Sequence, residues 1–160
     1  MKKLFSDFIG GRILPPDFRT FLIANSKPIA SILYRGMTYP KHLLKEGAVI
    51  EEWYGSTHWS FSEDVAKRFS KDYINEDYKE DLIEELGKGN VDFVSLVLTI
   101  SGIEGVDMAP FLKEYDLFDD FSNEQEVTVI GKNFRIKSIE RKDINGECFY
   151  FAKVLAEERK

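Results

Sequence analysis

Gly55-Ser56-Thr57-His58-Trp59-Ser60-Phe61-Ser62-Glu63-Asp64-Val65-Ala66-Lys67-Arg68-Phe69 is the stretch on which the reading of this chain turns. Its first half reads as extended. Ser60 and Ser62, two apart, share one face of such a segment, because successive side chains alternate sides. Its second half is a helix start. Ser62 stands at the N-cap, Glu63 and Asp64 occupy the first turn where the helix dipole favours anions, and Val65, Ala66, Phe69 and Tyr73 follow. Serine before a helix ordinarily spends its hydroxyl on capping or turn bonds. One of the two hydroxyls can therefore cap the helix while the other orients a carboxylate.

Upstream, the first thirty residues read as short helices broken at Gly10-Gly11 and Pro15-Pro16, with an apolar stripe of Phe18, Phe21, Leu22 and Ile23 stopped by Lys27-Pro28. Ile32-Leu33-Tyr34 reads as a strand ending at Arg35-Gly36. Pro40 to Lys45 reads as one or two helical turns closed by Gly47, and Val49 to Tyr54 as another strand. Downstream, Asn75 to Leu86 is expected to form an acidic helix ending at Gly87. Strands are then expected at Val91–Ile100, Glu126–Ile130, Phe134–Glu140 and Glu147–Leu155. Gly131-Lys132-Asn133 and Lys142-Asp143-Ile144-Asn145-Gly146 read as hairpin connections. Helices come first and strands last, without βαβ alternation, which implies an α+β fold with a largely antiparallel sheet. Neither a Rossmann glycine fingerprint nor a phosphate-binding P-loop is present.

Composition narrows the function. The 160 residues suit one domain over positions 1–160, with 1–30 as its helical N-terminal segment, and 43% apolar with 31% charged residues is the ordinary balance of a globular protein. A lone cysteine, Cys148, forms no internal disulfide, and His42, His58 and Cys148 are too few and too scattered for a zinc site, so no metal is expected. A net charge of −6 argues against a nucleic-acid binder working through a basic surface. It leaves room for an anionic small ligand, which needs only one or two local cations. Phe93 to Ile100, the longest mostly apolar run, falls far short of the ~20 residues that span a bilayer. The start, Met1-Lys2-Lys3-Leu4-Phe5, has neither a long apolar stretch nor a cleavage site, so a cytoplasmic location without a membrane partner is expected.

Two further segments carry chemistry. In Leu33-Tyr34-Arg35-Gly36 an arginine closes an apolar strand, where its planar fork suits bidentate binding of phosphate, and Gly36 would let a ligand approach the backbone. In Phe118-Asp119-Asp120-Phe121-Ser122-Asn123-Glu124-Gln125-Glu126-Val127-Thr128-Val129-Ile130, Glu124 and Glu126 lie two apart at a strand entry and can point to the same side. Such like charges are costly unless solvated or partnered. The loop before them sets two phenylalanines among acids.

In this order the three segments resemble the R-S-E class of mono-ADP-ribosyltransferases, over the chain from about Ile32 to Lys153. Arg35 matches the strand-end arginine in its Tyr-Arg-Gly setting, and Gly55 to Phe69 matches the Ser-Thr-Ser strand with its Ala-x-x-Phe helix. Glu124-Gln125-Glu126 matches the Glu-x-Glu motif of the arginine-modifying branch, and Phe118 and Phe121 fall in the family's substrate-recognition loop. The tail from Asn123 to Ile136 looks like the Mod and Alt enzymes of T-even phages, implying a phage-encoded member acting in host cytoplasm. A gap-free match aligns His58-Trp59-Ser60 with Ser-Thr-Ser, whereas a shift by two aligns Ser60-Phe61-Ser62. The first places His58 where the family has the serine that supports its catalytic glutamate.

The resemblance implies a mostly antiparallel split sheet around a cleft for NAD+, which is a substrate rather than a resident cofactor. Nicotinamide leaves NAD+ as a neutral molecule, so no general acid is needed, unlike ordinary glycoside hydrolysis. Positive charge develops at the ribose carbon, and a fixed carboxylate stabilises it. By resemblance Glu126 is that carboxylate, Glu124 orients and deprotonates an acceptor guanidinium, and Ser60 belongs with them in the catalytic set. Arg35, Gly36, His58, Ser60 and Phe69 would bind NAD+, with Phe61 a second candidate for stacking on nicotinamide. The implied partner is a host protein with an exposed arginine. The same motifs would serve a NAD glycohydrolase or a nucleic-acid acceptor met by Lys132, Arg135 and Lys137. The acid-rich stretches Asp72–Glu85 and Asp116–Glu126 would also suit a non-enzymatic protein covering a basic host surface.

Overall fold

The computed structural model describes residues 16–51, 56–72, 92–116 and 125–158, together with Lys3 and Glu84. In chain order these hold α1 (Pro16–Asn25), β1 (Lys27–Pro28), β2 (Leu33–Pro40), a 3-10 turn (Lys41–Leu43), β3 (Val49–Ile50), β4 (Ser56–Ser60) and α2 (Glu63–Asp72). They continue with β5 (Phe93–Ile100), β6 (Glu104–Asp107), α3 (Ala109–Glu114), β7 (Glu126–Ile130), β8 (Lys132–Ile144) and β9 (Glu147–Glu158). No described helix is long and apolar enough to cross a membrane.

The strands pair in the order β1-β6-β7-β4-β2-β5-β9-β8-β3. The sheet is mixed but mostly antiparallel, with β5 and β9 running parallel. Its ladder is uneven. β2 pairs with β5 along its whole length, from Leu33 opposite Ile100 to Pro40 opposite Phe93, yet meets β4 only where Tyr34 faces Ser60. Beyond that point the two halves of the sheet part.

Three apolar clusters hold these pieces. Leu33, Trp59, Leu96, Leu98, Val127, Phe134, Ile136 and Ala152 belong to the main core, where the Trp59 ring meets Phe134 edge-on at 5.0 Å. Phe18 and Leu22, four apart on α1, pack with Val106, Met108 and Leu112. Ala66 of α2 packs on Val97, Phe149 and Phe151.

The structure corrects several expectations. β2 does not end at Arg35-Gly36: it continues to Pro40, because Gly36 pairs with Val97 and is a packing glycine, not a strand stop. Ile23 is exposed, because it lies off the face that Phe18 and Leu22 share. Lys132 and Asn133 belong to β8, so Gly131 alone, at φ +66°, passes the chain from β7 in one half of the sheet to β8 in the other. The connection after β8 tightens to Asn145-Gly146, both left-handed at φ +51° and +79°, as a two-residue hairpin requires. β3 ends at Ile50, before Glu51, and the expected strand positions 52–54 lie outside the described residues; Pro40 to Lys45 forms only a 3-10 turn, and β6 and α3 were not foreseen. The expected acidic helix over 75–86, apart from Glu84, lies outside the described residues, as do most of positions 1–15.

Candidate active site

Where β2 and β4 part, a cavity of about 100 Å³ opens, lined by Tyr34, Arg35, Gly36 and Met37 of β2, His58, Trp59 and Ser60 of β4, Ala66 and Phe69 of α2, and Glu126 of β7. Arg35, Gly36, His58, Ser60, Phe69 and Glu126, each singled out from sequence, thus come together from four elements. Phe61 packs against the main core instead. Glu124, Phe118 and Phe121 lie outside the described residues.

Local sequence explains each placement. Antiparallel pairing of β4 with β7 sets Ser60 opposite Glu126 and His58 opposite Thr128. Side chains two apart share a face, so Ser56, His58 and Ser60 stand on the same side as Thr128 and Glu126. Trp59 and Val127 point the other way, into the core that fixes both strands. At the end of β4 the hydroxyls divide their work: Ser60 Oγ accepts the Ser62 N–H (3.0 Å), and Ser62 Oγ accepts the Val65 N–H (3.3 Å) as the N-cap of α2. Ser62 therefore lies past the strand, and the gap-free match is the one whose residues line the cavity.

Glu126 is held by its backbone as well. Its carbonyl accepts the Met108 N–H at 3.0 Å, and the carbonyl of Gln125 accepts the Phe61 N–H at 3.2 Å. Gln125 has φ +46°, an uncommon conformation for a residue with a side chain, and it turns the chain sharply into the strand at Glu126. The Glu126 side chain is only 5% exposed, and its Oε1 lies 2.7 Å from Nδ1 of His58, itself 12% exposed. Burying a carboxylate is costly without such a partner.

Gly36 lines the cavity and has a second reason that the sequence did not suggest. A Cβ there would lie 1.7 Å from the Ala66 carbonyl oxygen and 2.8 Å from the Ser70 nitrogen, so α2 packs directly on the strand at this position. This close approach seats α2 on β2, with the Thr38 hydroxyl donating to the Ser70 carbonyl at 2.9 Å, and so brings Phe69 to the cavity. Sequence reasoning did not single out Tyr34 and Met37 as lining residues. Their alternation with Arg35 and Gly36 is a signal only once the parting of β2 from β4 is known.

No family model matches the sequence, and no curated protein matches it. The fold is shared with solved bacterial enzymes. Vis, an ADP-ribosyltransferase toxin of Vibrio splendidus, superposes with a TM-score of 0.56 at 20% identity in its M6-inhibitor complex, over 96% of this chain and 72% of that one. Its complex with agmatine gives 0.52 at 19% identity, over 96% and 68%. Plx2a, an ADP-ribosyltransferase toxin of Paenibacillus larvae, gives 0.51 at 13% identity, over 90% and 73%. In a further Vis structure this chain covers 60% of the neighbour's length. At these identities the likeness establishes the fold.

Proposed function

We propose that this chain is an NAD+-dependent mono-ADP-ribosyltransferase that modifies arginine side chains of host proteins and releases nicotinamide. One observation carries the reading: a buried glutamate, Glu126, held at 2.7 Å by His58 in a cavity it shares with Arg35, Ser60 and Phe69. The fold shared with ADP-ribosyltransferase toxins supports it.

A cavity of about 100 Å³ takes one ring-sized end of the dinucleotide and leaves the rest at its mouth. Phe69 offers that ring an aromatic face. Arg35 supplies a fork of N–H donors for the pyrophosphate. Glu126, clamped through its backbone and side chain, faces the ribose with its charge already fixed, so little reorganisation is needed as positive charge develops. Ser60 stands opposite it, its Oγ accepting the Ser62 N–H.

The arginine acceptor rests on the spacing Glu124-Gln125-Glu126, which supplies a second carboxylate for a guanidinium that must be oriented and deprotonated. A fold neighbour solved with agmatine, itself a guanidinium compound, supports that choice. The tail's likeness to phage enzymes supports a host protein as target. Mass spectrometry of a reaction with NAD+ and agmatine tests the proposal: ADP-ribosyl-agmatine should form. Glu124→Ala should abolish that product while retaining NAD+ hydrolysis. Equal loss of both activities refutes the division of labour, and hydrolysis without transfer in the unaltered protein points to a glycohydrolase.

A further inference from the structure

We propose that His58 is the positioning residue of Glu126 and that its protonation gates the reaction, an inference resting on the transferase reading above. Two electronegative atoms 2.7 Å apart in a nearly dry site repel one another unless a proton lies between them. With Glu126 as carboxylate, Nδ1 of His58 carries that proton and donates it. The ring is then either the neutral Nδ1–H tautomer or the imidazolium.

These two states differ in what Glu126 can do. The neutral ring orients the carboxylate and leaves its full negative charge for the ribose. An imidazolium adds a positive charge 2.7 Å away and offsets that field where it matters most. Acid should therefore slow the chemical step while nucleotide binding through Arg35 persists.

The surroundings concentrate this effect on one ring. From β2 the cavity receives Arg35 and Tyr34, from α2 only Ala66 and Phe69, and from β7 Glu126 with Thr128 beside it in the face; Val106 of β6 pairs opposite Thr128. Histidine is the residue type whose charge changes between about pH 5 and 8. Behind the ring, on the same face, the buried hydroxyls of Ser56 and Thr128 find no hydrogen-bond partner among the described residues. A serine at position 58 could donate to Glu126 but could not titrate.

The test compares His58→Asn, whose amide can donate from nearly the position of Nδ1 without titrating, with His58→Ala. Nicotinamide release is followed from pH 5 to 8. At pH 8 His58→Asn should retain kcat within about tenfold, whereas His58→Ala should lose about 10- to 100-fold, the loss expected for one hydrogen bond to a charged group. The acid limb of the unaltered protein should vanish in His58→Asn. Persistence of that limb, or full kcat in His58→Ala, overturns the proposal. NMR gives a readout independent of activity, because the chain has only two histidines and exposed His42 serves as internal reference. The His58 ring should show Nδ1–H, and its titration should move on Glu126→Gln while that of His42 does not. Unchanged His58 titration refutes the pairing, whereas intact pairing without nicotinamide release refutes the transferase reading alone.

Discussion

Replacing Gly36 by alanine adds one methyl group to a strand, and strand propensity alone predicts a small gain, since glycine within a strand costs roughly 0.5–1 kcal/mol relative to alanine. The structure predicts the opposite sign. The new Cβ would lie 1.7 Å from the Ala66 carbonyl oxygen, half the 3.4 Å of ordinary contact, 2.7 Å from the Ala66 carbonyl carbon and 2.8 Å from the Ser70 nitrogen. All three are backbone atoms of a helix, so no side chain can rotate away. Overpacking of a core costs about 1–3 kcal/mol where side chains can adjust, and here the whole of α2 must lift, which puts Gly36→Ala at or above the top of that range. For a chain of this size ~3 kcal/mol corresponds to a fall in Tm of about 6–12 °C. Because α2 carries Phe69 and Ala66 into the cavity, nicotinamide release should fall in the fraction that still folds. Thermal unfolding by circular dichroism measures the first effect directly. A Tm equal to or above that of the unaltered protein refutes the packing of α2 on β2 and the shape of the cavity built on it.

Ser62→Ala removes the N-cap of α2 and should cost about 1 kcal/mol, seen as a drop of roughly 2–4 °C in the same unfolding experiment. Arg35→Lys keeps the charge but loses the fork; by calorimetry it should weaken NAD+ binding about tenfold, the loss expected for one charge-assisted hydrogen bond. Unaltered affinity would remove Arg35 from the pyrophosphate site.

What could be read from sequence follows from how local each signal is. The N-cap at Ser62 and the helix it opens depend on residues a few positions apart and were legible, and the hairpin ending at Asn145-Gly146 was legible in place though not in length. The motifs also named Arg35, Gly36, His58, Ser60, Phe69 and Glu126 of the cavity lining, but neither Tyr34 nor Met37. Gly36 misled as a strand end, because its packing reason lies thirty positions away in the backbone of α2. Gly131 misled because a left-handed glycine between strands looks the same whether the chain turns back or crosses to another half of the sheet. α3 is too short to show helical periodicity, and its start rests on Pro110 and on Asp107, whose Oδ1 accepts the Ala109 N–H at 3.1 Å. The cavity itself was illegible in any single segment, since it arises from the parting of β2 from β4 after one pair.

The central claim is that Glu126 promotes loss of nicotinamide from NAD+. Its most direct test is the rate of nicotinamide release by the unaltered protein and by Glu126→Gln, with folding of both checked by circular dichroism. The account predicts measurable release by the first and a loss of at least ~10²-fold in the second. Release at the same rate from a folded Glu126→Gln protein would contradict it.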